Sequence, residues 1–355
     1  MKVKPIAPSV VLAALLAGPL VARCAAGAPQ PATRPNIVFL TGRYQQRVGG
    51  LECAIGTGNV GRYDDAARLR QSNDLGLPVE ETSLARMLNG TGYATAIAGK
   101  WHLGYEPKFA PHLHGFERTL YCIGGGMDYF HYLDNLAGYN LFVDGNPVCR
   151  EGYFTDMVAD EAIRFIGEQH DHPFFAYVAF TAPHSPFQAP GDRQHDPLPL
   201  NSPLWDQGKA PPEVYIAMIE RMDQCIGAIL ATLDERRLRE KTVVFFAGDN
   251  GGTRSARNAP LSGIKGTTME GGIRVPGIVR WPGVIPPGTT SEQVCATFDF
   301  SASILRIAGA RVPEGRNLDG IDVSEQNDLL ERLPAEAERL RGLLADWEKQ
   351  VQPAR

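Results

Sequence analysis

Nothing in this sequence is both long and apolar enough to cross a bilayer. The longest apolar run, Val10 to Ala17, falls short of the roughly 20 residues that a spanning helix needs. An excess of positive charge is also missing. A net charge of −5 excludes the basic balance of a nucleic-acid binder. Cysteine is sparse, with six in 355 residues and no C-x-x-C spacing, which argues against a structural zinc site. No internal repeat is present, so the chain does not read as an array of stacked units.

What is present begins with an export pattern. Lys2 and Lys4 precede the apolar run, and Ala26-Gly27-Ala28 supplies the small residues of a cleavage site. Residues 1–28 therefore read as a signal peptide and 29–35 as a Pro- and Ala-rich linker. The expected location is outside the cytoplasm, periplasmic or extracellular. If Cys24 leaves with the leader, then Cys53, Cys122, Cys149, Cys225 and Cys295 remain, an odd number, and buried free thiols are expected for most of them.

The remainder is long enough for one large domain plus a small appendage, with 43% hydrophobic and 21% charged residues. Short apolar runs at Asn36–Leu40, Tyr93–Ala98, Phe174–Phe180, Thr242–Ala247 and Ile273–Val279 read as strands. Between them, Glu80–Leu88, Phe154–Glu168 and Glu213–Glu235 carry apolar residues at helical spacing. Alternation of unbroken apolar strands with helices predicts an α/β fold, a mostly parallel sheet sandwiched by helices. In residues 324–352, Leu340, Leu343, Leu344, Trp347 and Val351 form one stripe and predict a closing helix.

In open α/β sheets, ligands bind beyond the carboxyl ends of the strands. Here the second run leads into Gly99-Lys100-Trp101-His102, the third into Pro183-His184-Ser185, and the fourth into Gly248-Asp249-Asn250-Gly251-Gly252. The fifth is preceded by Lys265 in a Gly- and Thr-rich loop. Asp249 and Asn250 offer hard oxygen ligands that suit calcium or magnesium. Lys100, Lys265, His102 and His184 suit a tetrahedral oxyanion and the charge developing on a leaving oxygen. Singly, each piece has a plainer reading: Asp-Asn-Gly-Gly is a turn, His184 a loop histidine, Lys100 a stem laid along Trp101.

Together these segments resemble the sulfatase family of the alkaline-phosphatase superfamily, particularly bacterial arylsulfatases. The resemblance rests on Arg34-Pro35-Asn36-Ile37-Val38-Phe39, Thr41-Gly42-Arg43-Tyr44, Gly99 to Gly104, Ala182 to Pro186, Asp249 to Gly252, Asn258 to Leu261 and Lys265 to Pro276, all in the family's order. It implies an alkaline-phosphatase-like fold over 36–323 and hydrolysis of a sulfuric ester, with a sulfate ester or sulfated glycan as partner. It further implies a divalent cation, calcium by preference, held in part by Asp249 and Asn250. Lys100, His102, His184 and Lys265 match the sulfate-binding and leaving-group residues, with His184 or His102 as proton donor.

The resemblance also implies a formylglycine nucleophile in a C-x-P-S-R motif, and that motif is absent. Phe39-Leu40 joins directly to Thr41-Gly42-Arg43, where the family has paired aspartates, the motif and a helix. None of the five cysteines is followed by the Pro or Ala and the Arg that the motif requires. Thr41 belongs to the match that follows the missing helix and reads as a junction residue. A second gap follows Val323, where the family continues into a small antiparallel sheet. Three readings stay open: a sulfuric-ester hydrolase impaired as the sequence stands, a non-catalytic binder of sulfated glycans, and a truncated, poorly folded product.

Overall fold

The computed structural model describes residues 34–38, 68–135, 137–168 and 171–313. The leader, the junction at 40/41, the gap after Val323 and the closing helix lie outside the described residues, as does Cys53. Eight strands form one sheet in the order β5-β4-β3-β2-β6-β1-β7-β8. They are β1 (Asn36–Val38), β2 (Ala94–Lys100), β3 (Arg118–Cys122), β4 (Phe142–Val143), β5 (Asn146–Pro147), β6 (Phe174–Ala179), β7 (Thr242–Ala247) and β8 (Gly277–Arg280). The central run β3-β2-β6-β1-β7 is parallel throughout, whereas β4, β5 and β8 pair antiparallel at the edges.

The two faces are written in adjacent residues. Ile97, Phe175 and Val243 join one core with Leu84 and Leu88 of α1 (Leu84–Asn89) and with Phe300 and Ile304 of α5 (Thr297–Ile307). Their neighbours Ala96, Phe174 and Ala176 turn to the other face. There they meet Ala159 and Phe165 of α2 (Phe154–Gly167) and Cys225 and Ile229 of α3 (Pro212–Glu235). A strand buried on both sides reads as a continuous apolar run, which is why β2 buries five consecutive residues.

Polar contacts fix the layers. Arg221 on α3 grips Asp156 on α2 with two parallel bonds, 2.7 Å from Nε and 3.0 Å from Nη2. Glu161, buried on α2, is met by Arg118 of β3 at 2.7 Å and by Arg164 at 2.9 Å. Ser83 caps α1 by accepting the Arg86 N–H at 3.0 Å. Asn36 of β1 accepts the Phe174 N–H at 3.0 Å, tying the first strand to β6.

Some expectations need correction. The run Ile273–Val279 is not one strand. Ile273 ends a short helical turn, α4 (Glu270–Ile273), and β8 starts at Gly277. Gly271 and Gly272 there pack against neighbouring backbone, a geometry that an apolar count does not register. Of the described thiols, Cys122 and Cys225 are buried, whereas Cys149 and Cys295 are exposed. Among the described residues, no helix is long and apolar enough to cross a membrane.

Candidate active site at the carboxyl edge of the sheet

The carboxyl ends of β2, β6 and β7 reach one edge of the sheet. Because β8 runs antiparallel to β7, the loop that precedes it returns to the same edge and brings Lys265 there. Lys100 is the last residue of β2, and the chain beyond it stays in register with β3. The N–H groups of Trp101 and His102 donate to the carbonyls of Cys122 and Ile123 at 2.9 and 3.1 Å. Trp101 is buried, its indole N–H donates to the Phe109 carbonyl at 2.8 Å, and its ring lies 5.4 Å from that of His114. This anchor holds Lys100 and His102 on either side of it. Gly99 has φ +118°, and a Cβ there would sit 2.0 Å from the Ala179 carbonyl of β6. Only glycine permits that approach of the two strands beside Lys100.

His184 sits in the turn after β6, its N–H donating to the Thr181 carbonyl at 2.8 Å. Its Nδ1 lies 2.7 Å from the Ser185 carbonyl oxygen, an atom that can only accept, so Nδ1 carries the proton. The neutral ring therefore presents Nε2 as an acceptor, and the Gln207 amide nitrogen stands 3.3 Å from it. Between the histidines runs Gly125-Gly126 from the end of β3. A Cβ on Gly125 would lie 3.3 Å from the His102 ring, and one on Gly126 would lie 2.9 Å from His184 Nδ1.

On the other side, the Asp249-Asn250-Gly251-Gly252 loop meets the loop around Lys265 backbone to backbone. Gly251 donates to the Gly272 carbonyl at 2.9 Å, Lys265 to the Gly252 carbonyl at 2.9 Å, and Gly271 to the Ser262 carbonyl at 2.7 Å. A Cβ on Gly251 would stand 2.0 Å from the Gly271 oxygen. Both glycine pairs are thus contact surfaces, and their contact places Lys265 beside Asp249.

The charges of the cluster act on one another. Burial, then the positive charges of Lys100 and Lys265, pushes His184 down to about 4, against the pull of the Ser185 carbonyl and of Asp249. Lys265 is lowered by burial and by Lys100, with Asp249 opposing. Lys100, His184, Lys265 and Asp249 therefore form one electrostatic cluster, and His102 flanks it across Gly125-Gly126. Two ammonium groups against one carboxylate, with a histidine held neutral, leave the cluster net positive, which suits an anion.

The metal half is thinner. Asp249 Oδ1 accepts the Asn250 N–H at 2.9 Å, and the Asn250 amide nitrogen donates to the Gly251 carbonyl at 2.9 Å, leaving its amide oxygen as the ligating atom. Among the described residues, no group of three or more His, Cys, Asp or Glu gathers to hold a metal ion. One carboxylate and one amide oxygen fall short of the six to eight oxygens of a calcium site, so these residues alone do not fit the ion.

Sequence reasoning missed Gln207, which no spacing flags, and Gly124-Gly125-Gly126, whose run of three glycines was the available signal. It also missed Tyr177 of β6, whose hydroxyl is raised by burial and further by the charge of Asp249.

Residues 37–310 match the family model described as Sulfatase. The chain is 34% identical over 270 residues to N-acetylgalactosamine-6-sulfatase of Canis lupus familiaris, covering 70% of this chain and 49% of that protein. It is 30% identical over 311 residues to arylsulfatase J of Mus musculus, covering 83% and 48%. The chain thus spans about half the length of the curated relatives it matches. Among solved structures it is similar to Ps i-CgsB in complex with k-i-k-neocarrahexaose, with a TM-score of 0.64 and 28% identity over 81% of this chain and 67% of that one. A structure solved with D-Glucosamine-2-N, 6-O-disulfate, described as its substrate, shares the fold at a TM-score of 0.54 and 19% identity, covering 81% and 72%.

Proposed function

This chain belongs to the sulfatase family, and from that premise we propose that it binds the sulfate group of a sulfated sugar ester but, as the sequence stands, does not turn it over by formylglycine chemistry. The observation that carries the reading is the convergence of Lys100, Lys265, His184 and Asp249 at one sheet edge, with His102 alongside. The two ammonium groups provide charge-assisted donors for the sulfate oxygens. Were the ester cleaved, Nε2 of His184 would be the ring atom to pass a proton to or from its oxygen.

The half of the reaction that is missing is the attack on sulfur. The C-x-P-S-R segment that supplies a formylglycine in the family is not in the sequence, and Phe39-Leu40 continues directly into Thr41-Gly42-Arg43. With the paired first-strand aspartates missing as well, the cation site is weakened. The leader at 1–28 supports export, which would place the site where sulfated glycans are met.

The test pairs binding with turnover on the full chain. Calorimetry with N-acetylgalactosamine 6-sulfate should give saturable binding, and 4-nitrophenyl sulfate should release no nitrophenol above a buffer blank. Replacing Lys265 with Ala should weaken binding about tenfold or more, the scale of one lost charged hydrogen bond. Steady nitrophenol release that Lys265→Ala abolishes would make the chain an enzyme. Failure of the unmutated chain to bind would end the reading.

A further inference from the structure

Resting on the sulfate-ester reading, we propose that Gln207 is a specificity-determining residue that reads the alcohol side of the ester while the lysines read the sulfate. Three observations support it. The first is placement. Gln207 is exposed, yet its amide nitrogen reaches Nε2 of His184 at 3.3 Å. With Nδ1 committed to the Ser185 carbonyl, Nε2 is the ring nitrogen on the open side, and without a ligand its one lone pair takes the Gln207 N–H. A group at hydrogen-bond distance from Nε2 lies within reach of the ester oxygen that Nε2 would serve, and of hydroxyls on the neighbouring carbons.

The second is chemistry. A neutral amide has two N–H donors and a carbonyl acceptor. One N–H serves His184, which leaves one donor and one acceptor on the same planar group. That combination suits the hydroxyls of a sugar and contributes little to an anion already faced by two ammonium groups. Gln207 adds no net charge to the cluster, so its effect should separate from theirs.

The third is rigidity. Ser255 accepts the Ala210 N–H at 3.0 Å, and its hydroxyl donates to the Gln207 carbonyl at 3.3 Å. Asp206 closes the intervening turn, accepting the Gly208 N–H at 2.9 Å and pairing with Lys209 at 3.1 Å. The turn is thereby bound to the 253–256 segment, which itself continues from the Asp249-Asn250 loop, so Gln207 is held relative to both halves of the site. A side chain presented from a fixed backbone loses less entropy on binding.

The test compares two probes that share the anion and differ in the alcohol, inorganic sulfate and N-acetylgalactosamine 6-sulfate, by calorimetry on the full chain. Gln207→Ala should weaken the sugar ester about tenfold and leave sulfate within about twofold, with an unchanged melting temperature because the side chain is exposed. Equal weakening of both probes would overturn the inference, since that is what loss of a structural prop under His184 would do. No change for either probe would also overturn it while leaving the sulfate-ester reading intact. If the unmutated chain binds neither probe, the reading itself fails and takes the inference with it.

Discussion

The two halves of the site are built on different principles. Lys100, His102 and His184 lie at or just beyond the ends of β2 and β6, strands paired from Ala94 to Gly99 in the middle of the sheet. Asp249, Asn250 and Lys265 sit on loops at the β7-β8 side, held by glycine backbone against glycine backbone. The first half owes its geometry to the fold and the second to a local contact. The first half consequently takes its placement from the sheet, whereas the second, among the described residues, offers a cation one carboxylate and one amide oxygen.

The same steric offence at the two places should separate them, and the largest effect is expected in the centre. Gly99→Ala puts a Cβ 2.0 Å from the Ala179 oxygen and forces β2 from β6. We expect a loss of about 4 kcal/mol or more and a melting temperature roughly 10 °C lower by calorimetry. Gly251→Ala meets the Gly271 oxygen at the same 2.0 Å, but outside the sheet. It should lower sulfate affinity several-fold with a far smaller thermal shift. Equal thermal losses would show that the loop contact belongs to the core.

Next in size is calcium. With one carboxylate and one amide oxygen among the described donors, titration calorimetry should give a dissociation constant on the order of 10⁻³ M or weaker. Micromolar binding would mean that residues outside the described ones complete the site.

The smallest effect concerns His114, which shares a low pKa with His184 for a different reason. His114 is fully buried against Trp101 with neither ring nitrogen hydrogen-bonded. Burial, then Arg86 and His112, holds it at about 4, with Glu80 opposing. A histidine depressed in the folded state stays neutral there while the unfolded chain takes up a proton, so stability falls as pH drops from about 6.5 toward about 4. His114→Phe should flatten part of that acid limb in melting curves against pH, leaving the part due to His184. An unchanged slope would show that His114 does not carry it.

How much of this was legible depended on where each signal lay. Phe174–Phe180 and Thr242–Ala247 declared themselves because a strand covered on both faces must be apolar throughout. Arg118–Cys122 did not. Its arginine reads as surface until the buried Glu161 is seen to receive it. The site cations were found because strand ends are where such sheets bind ligands, and no knowledge of packing was needed. The glycine pairs are legible as turn and loop residues but not as contact surfaces, since what a missing side chain touches is a property of the partner backbone. Gln207 had no pattern at all; a glutamine in a polar turn acquires meaning only from the ring beside it.

The brief strand β1 has a kinetic consequence. It is three residues long and lies between β6 and β7, so its partners are about 138 residues away, as in the Asn36 to Phe174 bond, and about 206 away at Thr242. During synthesis both hydrogen-bonding edges of this strand stay open until most of the chain has been made. Such remote pairings close slowly because the loop entropy is lost before the contacts are gained. The first strand of the sheet is therefore among the last to be locked, and the molecule's window for mispairing lasts as long as that wait.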